Sequence, residues 1–397
     1  MAVPDPGARS SQKEHVAREL ARLDREALRR RTTAWPAAGG AVPLPDGRTL
    51  LNLSSNDYLA LARDPAVVRR AGEALARWGA GACASRLMCG TLELHEELEA
   101  RLAALCGAEA ALVFSSGFGM NVGLLPALAG RDDVLFLDRL VHASLVDGAR
   151  LSGATLVRFP HGDAGALARL VERTPCRGRR VVVCESVYSM DGDVAPLAEL
   201  AAVARGADAA LVVDEAHAVG VFGGGGGLCR GAGVQADVVL GTLGKALGSV
   251  GGFVACDAAL REYLLNRVRS FVFATALPPP SLGAALGALD RLRDEPGLGE
   301  ALLARARAFH AMLAARGLRL AAPASQILPV HVGGNAEAVA LAARLREEGL
   351  LVTAVRPPTV PAGTARLRLS VTLAHEPAAL EAAADLVGRA ARDAGVA

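Results

Sequence analysis

The sequence predicts an α/β protein: a large domain with a mostly parallel sheet flanked by helices, followed by a smaller α+β domain. Three observations predict it. Short, continuous apolar runs recur from about residue 60 to 290, separated by helix-like segments. Runs of that kind suit strands buried on both faces. Beyond residue 290 the runs thin out, and one begins to alternate with polar residues, the pattern of a half-buried strand. The chain has 397 residues, more than one domain usually holds.

Taken in order, residues 1–10 are rich in Pro, Gly and Ser and are expected to be disordered. Ser11 and Glu14 have the spacing of a capping box, and Val16, Leu20, Leu23 and Ala27 share one face of the helix that follows. Asp46-Gly47 reads as a hairpin turn. Five runs read as strands: Ala111–Phe114, Val134–Leu137, Val181–Cys184, Leu211–Val213 and Val238–Leu240. Pro278-Pro279-Pro280 interrupts the chain near the end of this region. Residues 327–332 form a further strand, 336–348 a helix stopped by Gly349, and 350–355 another strand. In 366–372, Leu367, Leu369 and Val371 alternate with polar neighbours as a half-buried strand. An Ala-rich helix follows Pro377. The expected division is 1–55, a helix and hairpin packing with the small domain; 56–290, the large domain; and 291–397, the small domain.

The composition excludes several classes. Net charge is +2, and no basic run is interleaved with aromatics, so no nucleic-acid surface is expected. No apolar run reaches spanning length and no secretory signal is visible, so a membrane location is not expected. The seven cysteines are odd in number, scattered and without a C-x-x-C pair. Most of them read as small buried apolar residues in a reducing cytoplasm, with no metal site.

The most informative residue is Lys245. Of 43 Lys plus Arg residues, Lys13 and Lys245 alone are lysine. Arginine can serve most surface cation roles, but it cannot form a Schiff base. Several neighbouring motifs fail. Gly241–Lys245 resembles the end of a P-loop, yet Val239 and Ala246 stand where that loop needs Gly and Ser or Thr. His95-Glu96-Glu97 lacks the second histidine of a zinc-protease helix and reads as a packing helix with a buried histidine. Gly223–Gly227 reads as a flexible loop, and Gly117–Gly123 misses dinucleotide spacing by one residue.

Ser115-Ser116-Gly117-Phe118 lies between a strand and a helix, where free amides could hold a lone phosphate. Asp214 ends one strand, and Lys245 follows another about one βα unit later. An acid and an amine at neighbouring strand ends are the parts of a pyridoxal phosphate site, the lysine bonding the aldehyde and the acid pairing with the ring nitrogen. His142 follows a further apolar run and could stack on the ring.

With these segments, the chain resembles the α-oxoamine synthase family of fold-type I pyridoxal phosphate enzymes over about residues 28–376. The marks are Ser54–Leu59, Ser85–Thr91, Ser115–Phe118, Asp138–Ser144, Ser189–Asp193, Val213–His217, Thr242–Lys245 and, most specific, Arg356–Leu369. The resemblance implies the type I transferase fold and a decarboxylative condensation of an amino acid with an acyl thioester. The Arg356 stretch is similar to members that join L-alanine to a pimeloyl thioester, carried by coenzyme A or an acyl carrier protein. Members using glycine or serine with acetyl, succinyl or palmitoyl thioesters are the alternatives, and a non-catalytic partner subunit is more remote.

The same resemblance implies residue roles. Lys245 holds the cofactor and works as acid and base; Asp214 pairs with the ring nitrogen; His142 stacks; His217 and Ser189 bond the phenolic oxygen side. Gly117, Phe118 and Thr242 hold the phosphate. Arg356 grips the amino-acid carboxylate, and Arg29, Asn56 and Thr359 touch substrate. A homodimer with its site at the interface is implied, Thr275 reaching the partner's phosphate.

Overall fold

The computed structural model describes residues 6–36 and 39–396, with side chains from residue 11 onward. The first helix runs Pro6–Arg25, so Ser11 and Glu14 lie inside it rather than at its start. Proline suits a first helical turn, where its missing N–H has no intrahelical partner anyway. The expected disorder of residues 1–10 is thus corrected for 6–10, and residues 1–5 fall outside the described set. Most of this helix is exposed; the chain just beyond it is tied down where Asn335 and Arg356 donate to the carbonyls of Glu26 and Ala27.

Strands β1 (Ala41–Pro43) and β2 (Thr49–Asn52) form the hairpin around Asp46-Gly47. Next come β3 (Ala110–Phe114), β4 (Val134–Asp138), β5 (Thr155–Phe159), β6 (Arg180–Glu185), β7 (Ala209–Asp214), β8 (Val238–Thr242) and β9 (Gly252–Cys256). They form one seven-stranded sheet in the order β3-β9-β8-β7-β6-β4-β5. β4 to β8 are parallel; β9 runs antiparallel to both β3 and β8. Successive residues feed opposite cores: Val182 and Cys184 pack on one face, Val181 and Val183 on the other. Burying each such valine contributes about 1.5–3 kcal/mol, which is why the runs carry no polar alternation.

The remainder holds β10 (Ile327–Gly333), β11 (Leu350–Leu351), β12 (Thr353–Val355) and β13 (Ala365–Ser370). The single strand expected at 350–355 is split. β11 joins β2 in parallel, whereas β12 pairs with β13, which in turn pairs with β10. The boundary expected at residue 290 falls inside the helix Pro279–Asp294, which opens on the proline run. β13 is buried along its whole length, Arg366 and Arg368 included, so the expected half-exposed strand is corrected. The glycine run at 223–227 is not a free loop either. Gly225 is buried, and the Glu215 carboxylate fastens the end of the run by accepting from the amides of Leu228 and Cys229. Of the cysteines, Cys184, Cys229 and Cys256 are buried, Cys106 and Cys176 are intermediate and Cys83 and Cys89 are exposed, so fewer than the expected majority are buried. No helix of the described residues is long and apolar enough to cross a membrane.

A turn following β6 locks the large sheet to β10 and β13. Arg366 pairs with Asp191, and the Ser325 hydroxyl donates to the Gly192 carbonyl at 2.7 Å. A Cβ on Gly192, whose φ is 70°, would lie 2.1 Å from the Ile327 carbonyl, so no side chain fits there. Behind the turn, His161 sits between Asp138 (3.0 Å) and Asp193 (2.7 Å). Burial opposes its charge, but the two carboxylates outweigh burial and raise its pKa to about 10. A raised histidine stabilises the fold fully below the unfolded pKa of about 6.5, and the gain is lost as pH rises through about 10. His161→Gln should therefore flatten the decline in unfolding free energy between pH 6.5 and 10 seen by denaturant titration. An unchanged slope would show that the pair carries no charge.

Candidate active site

The carboxyl ends of β4, β6, β7 and β8 bring Asp138, Glu185, Asp214 and Thr242 to one edge of the sheet, where α/β folds bind ligands. Glu185 and Asp214 are register partners on adjacent strands. Lys245 lies in the turn between β8 and β9. That turn is closed by Leu243 N–H to the Gly251 carbonyl (3.0 Å) and Gly248 N–H to the Lys245 carbonyl (2.9 Å). Gly248, at φ 59°, passes so close to Ala62 that a Cβ would meet its amide at 2.5 Å.

The Lys245 amine is 2.8 Å from His217 Nε2, and His217 Nδ1 is 2.7 Å from the Tyr58 hydroxyl. Burial, partly offset by Asp214 and Glu185, lowers the lysine pKa to about 8. Burial and the neighbouring Lys245 hold His217 well below its ordinary value. Asp214, 5% exposed, accepts from Asn121 Nδ2 (3.1 Å) and from the Ala216 amide (2.9 Å). No arginine or lysine forms an ion pair with it among the described residues. His142 caps the helix Ala143–Ser152, and its main-chain N–H donates to Glu185 Oε1 at 2.5 Å. Burial and the adjacent Asp214 push the Glu185 pKa well up. The Phe118 ring stands edge-on to His142 with centroids 6.3 Å apart.

Gly117 and Phe118 open the helix Gly117–Leu128. Ser116 Oγ accepts from Gly119 N–H, which leaves the first two amides without an intrahelical acceptor. A Cβ on Gly252 would lie 2.7 Å from Gly117 Cα, so the two backbones meet directly beside Thr242. Thr242 Oγ1 donates to the Gly251 carbonyl and accepts from Gly244 N–H. An amine of lowered pKa, a carboxylate without a cation, a flat imidazole and a bare helix start are the donor set pyridoxal phosphate needs. The buried Asn121 Oδ1, which lacks a partner, sits in the same cluster. The residues fit the cofactor.

Other expected residues are arranged differently. Ser189 is 9% exposed, and its carbonyl accepts from Arg368 Nε at 2.5 Å. Thr275 bridges to Ser85 in an antiparallel contact. Arg29 pairs with Asp24 at 2.6 Å, and Thr359 accepts from Arg30 at 3.4 Å, both near the end of the first helix. The Arg356 guanidinium, expected to grip the carboxylate, donates to the Ala27 carbonyl instead. The guanidinium whose charge acts on Lys245 and His217 is that of Arg368. It is 8% exposed and donates to four neutral acceptors: the Ser189 carbonyl, Asn56 Oδ1 (3.1 Å), Ser370 Oγ (2.9 Å) and the Tyr58 hydroxyl (3.2 Å). A buried cation without an anion is costly. Sequence reasoning missed Arg368, Tyr58, Glu185 and Asn121. Arg368 stands in an alternating strand beside Arg366 and Ser370, so the sequence carried no local signal for it. A cavity of about 1180 Å3, lined by Arg180, Asp208, Asp237 and Cys256, opens at the opposite edge of the sheet and holds none of these groups.

The sequence profile of the aminotransferase class I and II family matches residues 48–387. The 8-amino-7-oxononanoate synthase of Anaeromyxobacter dehalogenans (strain 2CP-1) is 50% identical over 369 residues, 92% of each chain. That of Geobacter metallireducens is 45% identical over 385 residues, 96% of this chain and 98% of its own. Among solved structures, Sphingomonas wittichii serine palmitoyltransferase is 34% identical with a TM-score of 0.90, covering 98% of both chains. The 8-amino-7-oxononanoate synthase of Francisella tularensis is 27% identical with a TM-score of 0.73, covering 87% of this chain and 98% of its own. The chain belongs to the 8-amino-7-oxononanoate synthase family of fold-type I, pyridoxal-phosphate-dependent acyltransferases.

Proposed function

We propose that this chain condenses L-alanine with a pimeloyl thioester, releasing CO2 and the free thiol and forming 8-amino-7-oxononanoate for biotin synthesis. The observation that carries the reading is the Lys245 amine, 2.8 Å from a neutral His217 and one strand from the cation-free Asp214. Bound between them, pyridoxal phosphate supplies an electron sink for negative charge at the amino-acid Cα. Lys245 would hold the cofactor covalently until the amino-acid nitrogen displaces it, and the freed Nζ would take the Cα proton and return one after CO2 is lost. Asp214 keeps the ring nitrogen protonated. His142 would stack on the ring, and His217 and Ser189 would hold its phenolic oxygen. The Gly117 and Phe118 amides and Thr242 take the phosphate.

Arg368, rather than Arg356, binds the alanine carboxylate in this reading, because a buried guanidinium with only neutral partners is completed by an anion. Arg29, Asn56 and Thr359 line the approach. Sequence identity favours alanine and pimeloyl over serine and palmitoyl. The high TM-score to the palmitoyltransferase reflects a fold that many chemistries share. Alanine, glycine and serine assayed against pimeloyl, acetyl, succinyl and palmitoyl thioesters should release thiol fastest for alanine with pimeloyl. Faster release with serine and palmitoyl would reassign the substrate.

The site works in a homodimer in this proposal. Leu87, Met88, Phe118, Val250 and Phe273 are all exposed, and the Ser85–Thr275 bridge brings the first two toward the last. Apolar surface gathered beside a site supports an interface there, and in this reading Thr275 reaches the partner's phosphate. Sedimentation at micromolar concentration should give twice the 40.7 kDa chain mass; a monomer would remove this part of the reading.

A further inference from the structure

His142, Ser144, Asn121 and Asp214 form an unbroken hydrogen-bonded chain, and donor–acceptor chemistry fixes its direction. Asn121, 4% exposed, places Nδ2 3.0 Å from Ser144 Oγ and 3.1 Å from Asp214 Oδ2. A carboxylate accepts only, so the amide nitrogen must face it. Both Nδ2 hydrogens are then committed, one to each oxygen. Ser144, fully buried, accepts from Asn121, and its Oγ lies 2.7 Å from His142 Nδ1, a contact in which either atom can donate. The Ser144 main-chain N–H faces the same nitrogen at 3.3 Å. A ring nitrogen that accepts from a main-chain N–H carries no proton of its own, so the Ser144 hydroxyl is the donor in the 2.7 Å contact.

We infer that Asn121 and Ser144 are positioning residues that lock His142 as the neutral Nε2–H tautomer and tie its state to Asp214. Burial, which lowers the His142 pKa, acts in the same direction. The functional meaning rests on the reading that pyridoxal phosphate occupies the pocket. An uncharged imidazole there would not oppose the positive ring nitrogen that Asp214 would hold. Asn121 takes no part in proton transfer; it acts through the two groups it orients.

The test is nitrogen-15 NMR of histidine-labelled protein, with and without cofactor, using His142→Gln to assign the resonance. In the native chain, His142 should show an unprotonated Nδ1 and a protonated Nε2 throughout pH 6–8. Ser144→Ala should release this lock, with the Nδ1–H tautomer or imidazolium appearing in the same range. It should also weaken cofactor binding about tenfold, the loss of one strong hydrogen bond, and Ser144→Thr should restore both. Asn121→Ala should give the same spectral change with the serine intact, since the hydroxyl is then free to rotate. An imidazolium or Nδ1–H form in the native chain overturns the inference, as do His142 signals unmoved in both variants. The native spectrum decides even if a variant does not fold. A chain that binds no cofactor would sink the proposed function while leaving the tautomer result readable.

Discussion

Lys245→Ala should abolish condensation, lowering kcat by about a thousandfold or more, because one substitution removes both the covalent anchor and the proton-transfer group. Borohydride should fix pyridoxal phosphate irreversibly on the native protein and leave the variant unlabelled, as read by intact mass. The native reaction has a second signature. With its pKa lowered to about 8 by burial, the amine should bond the added cofactor with a rate that climbs through pH 8 and then levels. An ordinary lysine would keep climbing toward its unperturbed value of about 10.4. A labelled variant, or a midpoint near 10, would overturn the assignment. The fold should survive the change, since Lys245 makes one side-chain hydrogen bond, to His217.

The second large effect is expected at Arg368. Arg368→Ala should raise KM for alanine about a hundredfold, as expected for losing a charge-assisted, paired contact to a carboxylate. Arg356→Ala should change it by less than about threefold, on the scale of a surface substitution. Arg368→Lys should recover little, because an ammonium cannot present several donors in a fixed plane. The reverse ranking, with Arg356 dominant, would restore the role first read from the sequence. Removing Arg368 also takes a donor from Asn56 Oδ1, the Ser189 carbonyl and the Tyr58 hydroxyl. The thermal midpoint should be measured beside KM, so that unfolding is not mistaken for lost binding.

Five of the seven strands of the large sheet, β3, β4, β6, β7 and β8, were legible because a strand buried on both faces must be continuously apolar, and little else in a polar-patterned chain looks like that. β9 was not, because Gly251 and Gly252 at its start read as loop residues. Those glycines are needed where the chain passes against Phe114 and Gly117. β5 was missed because it lies at the sheet edge and keeps Thr155 exposed and Arg158 half-buried, which breaks the apolar signal. In the site, Lys245, Asp214 and His142 stand at strand ends, where position alone suggests chemistry. Arg368 occupies an alternating strand, and period-two patterning assigns its face to water. The structure instead turns that face onto the Ser189 turn. Asn121 lies within a helix, where no local pattern separates it from an ordinary polar residue. Groups that act by orienting others are visible only once their partners are in place.

The nearly lysine-free composition has a practical consequence when joined to the burial of Lys245. At neutral pH about a tenth of an amine with a pKa near 8 is unprotonated, against fewer than one in a thousand for a free lysine. Carbonyl reagents applied at pH 7 will therefore sort themselves by nucleophilicity, and the chain offers them one other lysine, the exposed Lys13. Between those two lysines, an aldehyde probe at neutral pH is expected to label Lys245, the one beside His217, without any engineered handle.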